Sequence, residues 1–184
     1  MMINFTTSGS DKELLGIMAL QRSNLPDNLS EDEMKSQGFV TVIHELAGLK
    51  KMNELEQHVI AKDDEKVIAY LLAMTSASAT DIPVLIPLFE LFGKIEYAGR
   101  AVSEYKYIVV GQVCVGKGYR GQGVLDDCYA EYRRRFEGRY YFAITEISVR
   151  NTRSIQAHKR IGFTQVHEYK APDGEEWSVV LWQW

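Results

Sequence analysis

The chain has 184 residues, 46% hydrophobic and 25% charged, and its 21 basic and 25 acidic side chains leave a net charge of −4. That length holds one domain, 1–184, with a sizeable core, and the negative balance offers no overall positive field to nucleic acid or an anionic membrane. The longest apolar runs, such as 67–74, fall far short of the roughly 20 residues a spanning helix needs.

The opening residues, Met1 to Phe5, lack a basic region ahead of an apolar one, so they do not read as a signal peptide. Cys114 and Cys128 form neither a disulfide framework nor metal-ligand spacing, and His44, His58 and His167 are dispersed. A reducing cytoplasm and no metal are the expectation.

In chain order, Met2 to Thr6 reads as a first strand, and Ser10 with Asp11 and Glu13 marks a helix entry. Leu14, Leu15, Met18 and Leu25 give that helix an apolar face, which Pro26-Asp27-Asn28 ends. Ser30 and Glu33 have capping-box spacing, so a short helix starts there and stops near Gly38. A further helix runs to about Leu55, with Ile43, Leu46, Leu49 and Met52 at intervals of three.

His58 to Lys62 and Lys66 to Thr75 read as a hairpin around Asp63-Asp64-Glu65. The stretch from Ser76 to Thr80 is a small-residue loop. Ile82 to Ile95 reads as a helix with Pro83 in its first turn, kinked or started late at Pro87. Its Leu85, Phe89 and Phe92 are candidates for a substrate entrance, with core packing as the simpler use. Tyr105 to Val115 is a strand apolar on both faces, as expected between two helical layers.

After that strand come glycines at 116, 118, 121 and 123, then an amphipathic stretch from Val124 to Phe136. Strand, glycine loop and helix in this order leave uncovered N–H groups at a helix N-terminus, an anion cradle suited to a pyrophosphate. Gly111 to Lys117 imitates a Walker A loop, but its middle reads as strand and Gly118 stands where a hydroxyl should be. Gly116-x-Gly118-x-x-Gly121 fits a dinucleotide fingerprint, but Glu137, the acid at the required distance, precedes the next strand.

A third reading takes Arg120-Gly121-Gln122-Gly123-Val124-Leu125 with the strand ending at Val115. Here the sequence resembles the GNAT superfamily of N-acetyltransferases, whose coenzyme A loop reads Arg/Gln-x-x-Gly-x-Gly/Ala. A second match, Asn151-x-x-Ser154-Ile155-x-x-His158-x-x-x-Gly162-Phe163, resembles that superfamily's other signature helix. The resemblance covers about the last 80 residues well and the rest by layout. Leu125 replaces the final small residue of the loop, and His158 replaces the usual tyrosine.

Downstream, Tyr140 to Val149 is a strand, Asn151 is an N-cap, and Gly162 with Phe163 fits a left-handed helix end. Gln165 to Tyr169 and Trp177 to Trp184 make a closing hairpin.

The resemblance implies an α/β fold, a central mixed sheet with helices on both faces, and two parallel strands that splay to admit a pantetheine arm. It implies acetyl-coenzyme A as cosubstrate and a primary amine, on a small molecule or peptide, as acceptor, with a homodimer possible. Val113, Cys114 and Val115 would offer backbone bonds to the thioester end. Arg120, Gly121, Gln122, Gly123, Val124, Leu125 and Asp126 would hold the pyrophosphate, and Asn151 and Ser154 would face the pantetheine. Gln112 and Glu146 are candidates to orient or deprotonate the amine, and His158 to serve as a weak acid or hydrogen-bond donor to the leaving thiolate. The alternative from another class is a coenzyme A-binding module without turnover, and a nicotinamide enzyme ranks third.

Overall fold

The computed structural model describes residues 2–81 and 86–184. Seven strands build one sheet: β1 (Ile3–Thr7), β2 (Val59–Asp63), β3 (Lys66–Met74), β6 (Ile108–Val115), β7 (Phe142–Ser148), β8 (Thr164–Lys170) and β9 (Glu176–Gln183). Between β3 and β6 lies a two-stranded hairpin, β4 (Glu96–Tyr97) and β5 (Arg100–Ala101), which the sequence pattern did not announce. The spatial order is β1-β2-β3-β6-β7-β9-β8, and every neighbouring pair is antiparallel except β6 with β7.

The helices are α1 (Asp11–Arg22), α2 (Glu31–Gln37), α3 (Leu46–Leu55), α4 (Ser78–Asp81), α5 (Ile86–Phe92), α6 (Val124–Phe136) and α7 (Thr152–Ile161). One face of the sheet packs against Leu14 and Ile17 of α1, Leu49 and Met52 of α3, and Leu88 and Phe92 of α5. The other takes Val124, Cys128, Tyr129, Tyr132 and Phe136 of α6. Covered on both sides, β3 buries every residue from Val67 to Met74, which is why its sequence is a continuous apolar run. Fully burying each of its Val, Ile, Leu and Met side chains contributes about 1.5–3 kcal/mol through the area it removes from water.

Local signals act as expected where they are local. The Ser10 hydroxyl accepts from Glu13 N, and Ser30 and Glu33 complete the capping box. Gly38 then ends α2 at φ +76°. Pro87 is the second residue of α5, where a missing N–H has no partner to lose. Pro83 and Leu85 lie outside the described residues, while Phe89 and Phe92 pack on the core.

Two helical faces differ from the pattern. Leu15 is 52% exposed because α1 turns Leu14, Ile17 and Gln21 inward, and Ile43 is 65% exposed because α3 begins only at Leu46. Residues 38–45 form an irregular strap instead. Gln112 Nε2 donates to Val42 O at 2.8 Å, and Asn151 Nδ2 to Phe39 O at 3.1 Å. Val40 N donates to Asn24 O at 3.1 Å, and His44 N to Gln21 Oε1 at 3.0 Å.

The feature that positions the site is the parting of β6 from β7. They pair only through Ile108 with Ala143 and Val109 with Ile144. Thr145 Oγ1 still reaches Val110 O at 2.7 Å, and beyond this fork the two strands do not pair. On its other edge β6 carries a bulge, since Gly111 and Gln112 together oppose Leu72 between the Ala73–Val110 and Leu71–Val113 pairs.

Candidate active site

The open end of the fork faces the glycine loop. After Val115 the chain makes a 3₁₀ turn over Lys117–Tyr119 and reaches Gly121 at φ +73° and Gly123 at φ +81°, the N-cap of α6. L side chains rarely adopt these angles, and a Cβ built at either glycine meets nothing within 4 Å. The glycines therefore keep open space in front of the helix start. Gly123 supplies no side-chain cap, and among the described residues the N–H groups of Gly121, Gly123, Val124, Leu125 and Asp126 donate to no protein group.

The loop faces a cavity of about 340 Å³. Twelve of the fifteen residues expected at the site line it: Val113, Cys114 and Val115 from β6; Arg120, Gly121, Gly123, Val124, Leu125 and Asp126 from the loop; and Asn151, Ser154 and His158 from the β7–α7 junction and α7. Gln122 does not, being exposed with its amide donating to Gly118 O at 2.8 Å. Gln112 and Glu146 are also absent from the lining.

Arg120 turns its side chain back onto the scaffold. Its Nε donates to Val115 O at 2.9 Å, and its guanidinium also bonds Asn24 Oδ1. Asn151 caps α7 by accepting from Ser154 N at 3.2 Å and holds the strap through Phe39 O. Burial pushes the pKa of the Cys114 thiol up to about 12, which keeps it protonated at neutral pH.

The wall has parts that sequence reasoning missed. Gly38, Phe39 and Val40 of the strap and Asn24 before it line the cavity, as do Arg153, Gln156 and Arg160 of α7. The α7 set was within reach, since 153, 156 and 160 follow helical spacing. Nothing in the sequence near 38–40 announces a binding wall. Arg160 Nη2 donates to both Asp126 carboxylate oxygens, at 2.8 and 2.9 Å, tying α7 to the first turn of α6.

His158 departs from its expected role. It is 1% exposed, its Nδ1 lies 2.8 Å from Ser154 O, and its Nε2 lies 2.6 Å from Tyr129 Oη. A carbonyl only accepts, so Nδ1 carries the proton and Nε2 accepts from the tyrosine hydroxyl. Burial lowers its pKa to about 4, which keeps the ring neutral. The single N–H is already committed to the helix backbone, leaving none for a thiolate.

Gln112 is likewise taken up by the scaffold. Its Oε1 accepts from Tyr70 Oη at 2.7 Å and Gln21 Nε2 at 2.8 Å, and its Nε2 holds the strap through Val42 O. An amide with these partners anchors the strap and takes no proton from an amine.

Glu146 differs. By strand alternation it shares the face of Phe142 and Ile144, the α1–α3 side, two residues past Ile144, the last β7 residue paired with β6. Its Oε2 accepts from Tyr169 Oη at 2.5 Å. Its Oε1 has no hydrogen-bond partner among the described residues, yet is not sealed from solvent. Burial raises its pKa above the usual carboxylate value, and the tyrosine bond partly offsets this.

No protein-family model matches the sequence, and no curated protein sequence matches it. Solved structures do match. The Escherichia coli ribosomal-protein-S18-alanine N-acetyltransferase aligns over 99% of this chain and 94% of its own at 11% identity, with a TM-score of 0.63. The NatC complex bound to Gag peptide and coenzyme A aligns over 100% and 99% at 12% identity and a TM-score of 0.63. An acetyltransferase of the GNAT family from Desulfovibrio desulfuricans aligns over 99% of each chain at 11% identity and a TM-score of 0.64. The chain has the GNAT acyltransferase fold, a mixed seven-stranded sheet with helices on both faces.

Proposed function

We propose that this protein is an N-acetyltransferase that moves an acetyl group from acetyl-coenzyme A to a primary amine on a small molecule or peptide, with residues 1–184 acting as one cytoplasmic domain. The observation that carries this reading is the run of free N–H groups from the positive-φ glycines Gly121 and Gly123 into the first turn of α6, at the open end of a parted β6–β7 pair. The residues fit the cosubstrate: open space at Gly121 and Gly123 admits a pyrophosphate, and the β6 edge around Val113, which β7 leaves unpaired, suits an amide-bearing arm. Bound acetyl-coenzyme A supplies the activated thioester.

This chain's own residues do the rest. The α6 amides and Arg120 bind and orient, so that proximity contributes much of the acceleration. A backbone N–H of β6 near the bulge stabilises negative charge on the carbonyl oxygen. Glu146 at the fork removes a proton from the acceptor through its free Oε1. Neither His158 nor Gln112 has a chemical part in this scheme.

The second reading, a coenzyme A-binding module with little turnover, is favoured by the commitment of the His158 N–H to Ser154 O. Calorimetry with coenzyme A, followed by a free-thiol assay with acetyl-coenzyme A and an amine panel, separates the two. Binding with thiol release only when amine is present supports the enzyme. Binding without release selects the module, and no binding removes both.

A further inference from the structure

The sheet face on the α1–α3 side carries a group of side chains at the fork that the cosubstrate cavity does not use. Glu146 of β7 pairs with Val179 of β9, which pairs with His167 of β8; in the next row Ser148 pairs with Trp177, which pairs with Tyr169. Paired residues share a face, so Glu146, His167, Tyr169 and Trp177 stand together on it.

All four are half-buried. His167 and Tyr169 lie near parallel, 20° apart with ring centroids at 6.4 Å. The Ser148 hydroxyl donates to Glu175, whose carboxylate also meets Arg150 at 2.8 Å. Its charge is thus matched by a cation, whereas no cation partners Glu146 among the described residues.

We infer that Glu146, Tyr169, His167 and Trp177 form the acceptor subsite and that it takes a primary ammonium on an apolar, aromatic-compatible stem. This rests on the acetyltransferase reading and names its substrate class. A carboxylate with one oxygen fixed and the other free answers a cationic head group, and adjacent aromatic faces attract the same charge while covering the stem. The ammonium gives one proton to Glu146, and the freed nitrogen lone pair attacks the thioester carbon. The carbon–sulfur bond breaks, and the second proton lost by nitrogen ends on the departing sulfur.

The test uses 2-phenylethylamine and its neutral counterpart 2-phenylethanol as probes, with affinity read by NMR titration and coenzyme A affinity read separately by calorimetry. The amine should bind about tenfold or more tighter than the alcohol, with Glu146→Gln and Trp177→Leu each losing about tenfold for the amine. Coenzyme A affinity should stay at the parent value in both variants, which also shows that they are folded. Equal binding of amine and alcohol, no amine binding, or full amine affinity in Glu146→Gln would overturn the subsite. Loss of this subsite with intact coenzyme A binding leaves the cosubstrate site standing, whereas failure of the parent to bind coenzyme A defeats the acetyltransferase reading itself.

Discussion

The Tyr129 hydroxyl donates to His158 Nε2 at 2.6 Å, joining α6 to α7 at the wall of the glycine-loop cavity. Both groups are buried, and the bond fixes the imidazole with its proton on Nδ1. Replacing Tyr129 with Phe leaves a buried nitrogen acceptor unpaired, which costs about 1–3 kcal/mol. Urea unfolding of Tyr129→Phe should show that loss, with coenzyme A affinity unchanged within about twofold. A variant as stable as the parent would mean that the pair does not hold the two helices.

Three buried histidines make stability depend on pH. Burial lowers the pKa of His44, His58 and His158 from 6.5 to about 4. The unfolded chain therefore takes up protons between pH 6.5 and 4 that the folded chain refuses, so folding stability is present above 6.5 and falls as pH drops through this window. The slope is about 1.4 kcal/mol per pH unit for each histidine fully inside the window. Unfolding midpoints across this range should fall accordingly, and His44→Asn, which removes one titrating ring, should flatten the curve.

Gly123 sits at φ +81° in the space assigned to phosphate. Gly123→Val forces a β-branched residue into that backbone region and puts methyl groups before the free amides. Coenzyme A affinity should fall at least about a hundredfold by calorimetry, a loss of roughly 2.7 kcal/mol. Arg120→Ala should lose less, because its guanidinium is turned onto Val115 O and Asn24.

In the proposed mechanism Glu146 takes a proton only when ionised, and burial raises its pKa above 4.5. Turnover should therefore rise with pH through that raised value. Tyr169→Phe removes the bond that partly lowers it, so the rising limb should move to higher pH. An unmoved limb in Tyr169→Phe would place the titrating base elsewhere.

Gln112 bonds Gln21, Tyr70 and Val42 at once. Gln112→Leu strands these partners and should destabilise the fold by about 2–4 kcal/mol, read by urea unfolding. Transfer activity per folded molecule should persist within about tenfold, since the amide acts on the strap.

The local sequence determined what lies within one turn or one strand. The caps at Ser10, Ser30 and Asn151 and the start of α6 after Gly123 came from side chains bonding backbone a few residues away, or from φ angles only glycine takes freely. Helical spacing on α7 likewise held Arg153 and Arg160, and two spaced motifs held the loop and fork that twelve of the expected residues line. Tertiary structure alone decided what His158 does, because its partner Tyr129 stands 29 positions away on another helix. It also set the strap, whose anchors Gln112 and Asn151 lie 70 and 112 positions from the carbonyls they hold. The order that inserts β9 between β7 and β8 brought Glu146 beside Tyr169. Hydrogen bonds between residues so far apart form only once the chain has folded back, and no local pattern of side chains encodes which of many polar groups will meet.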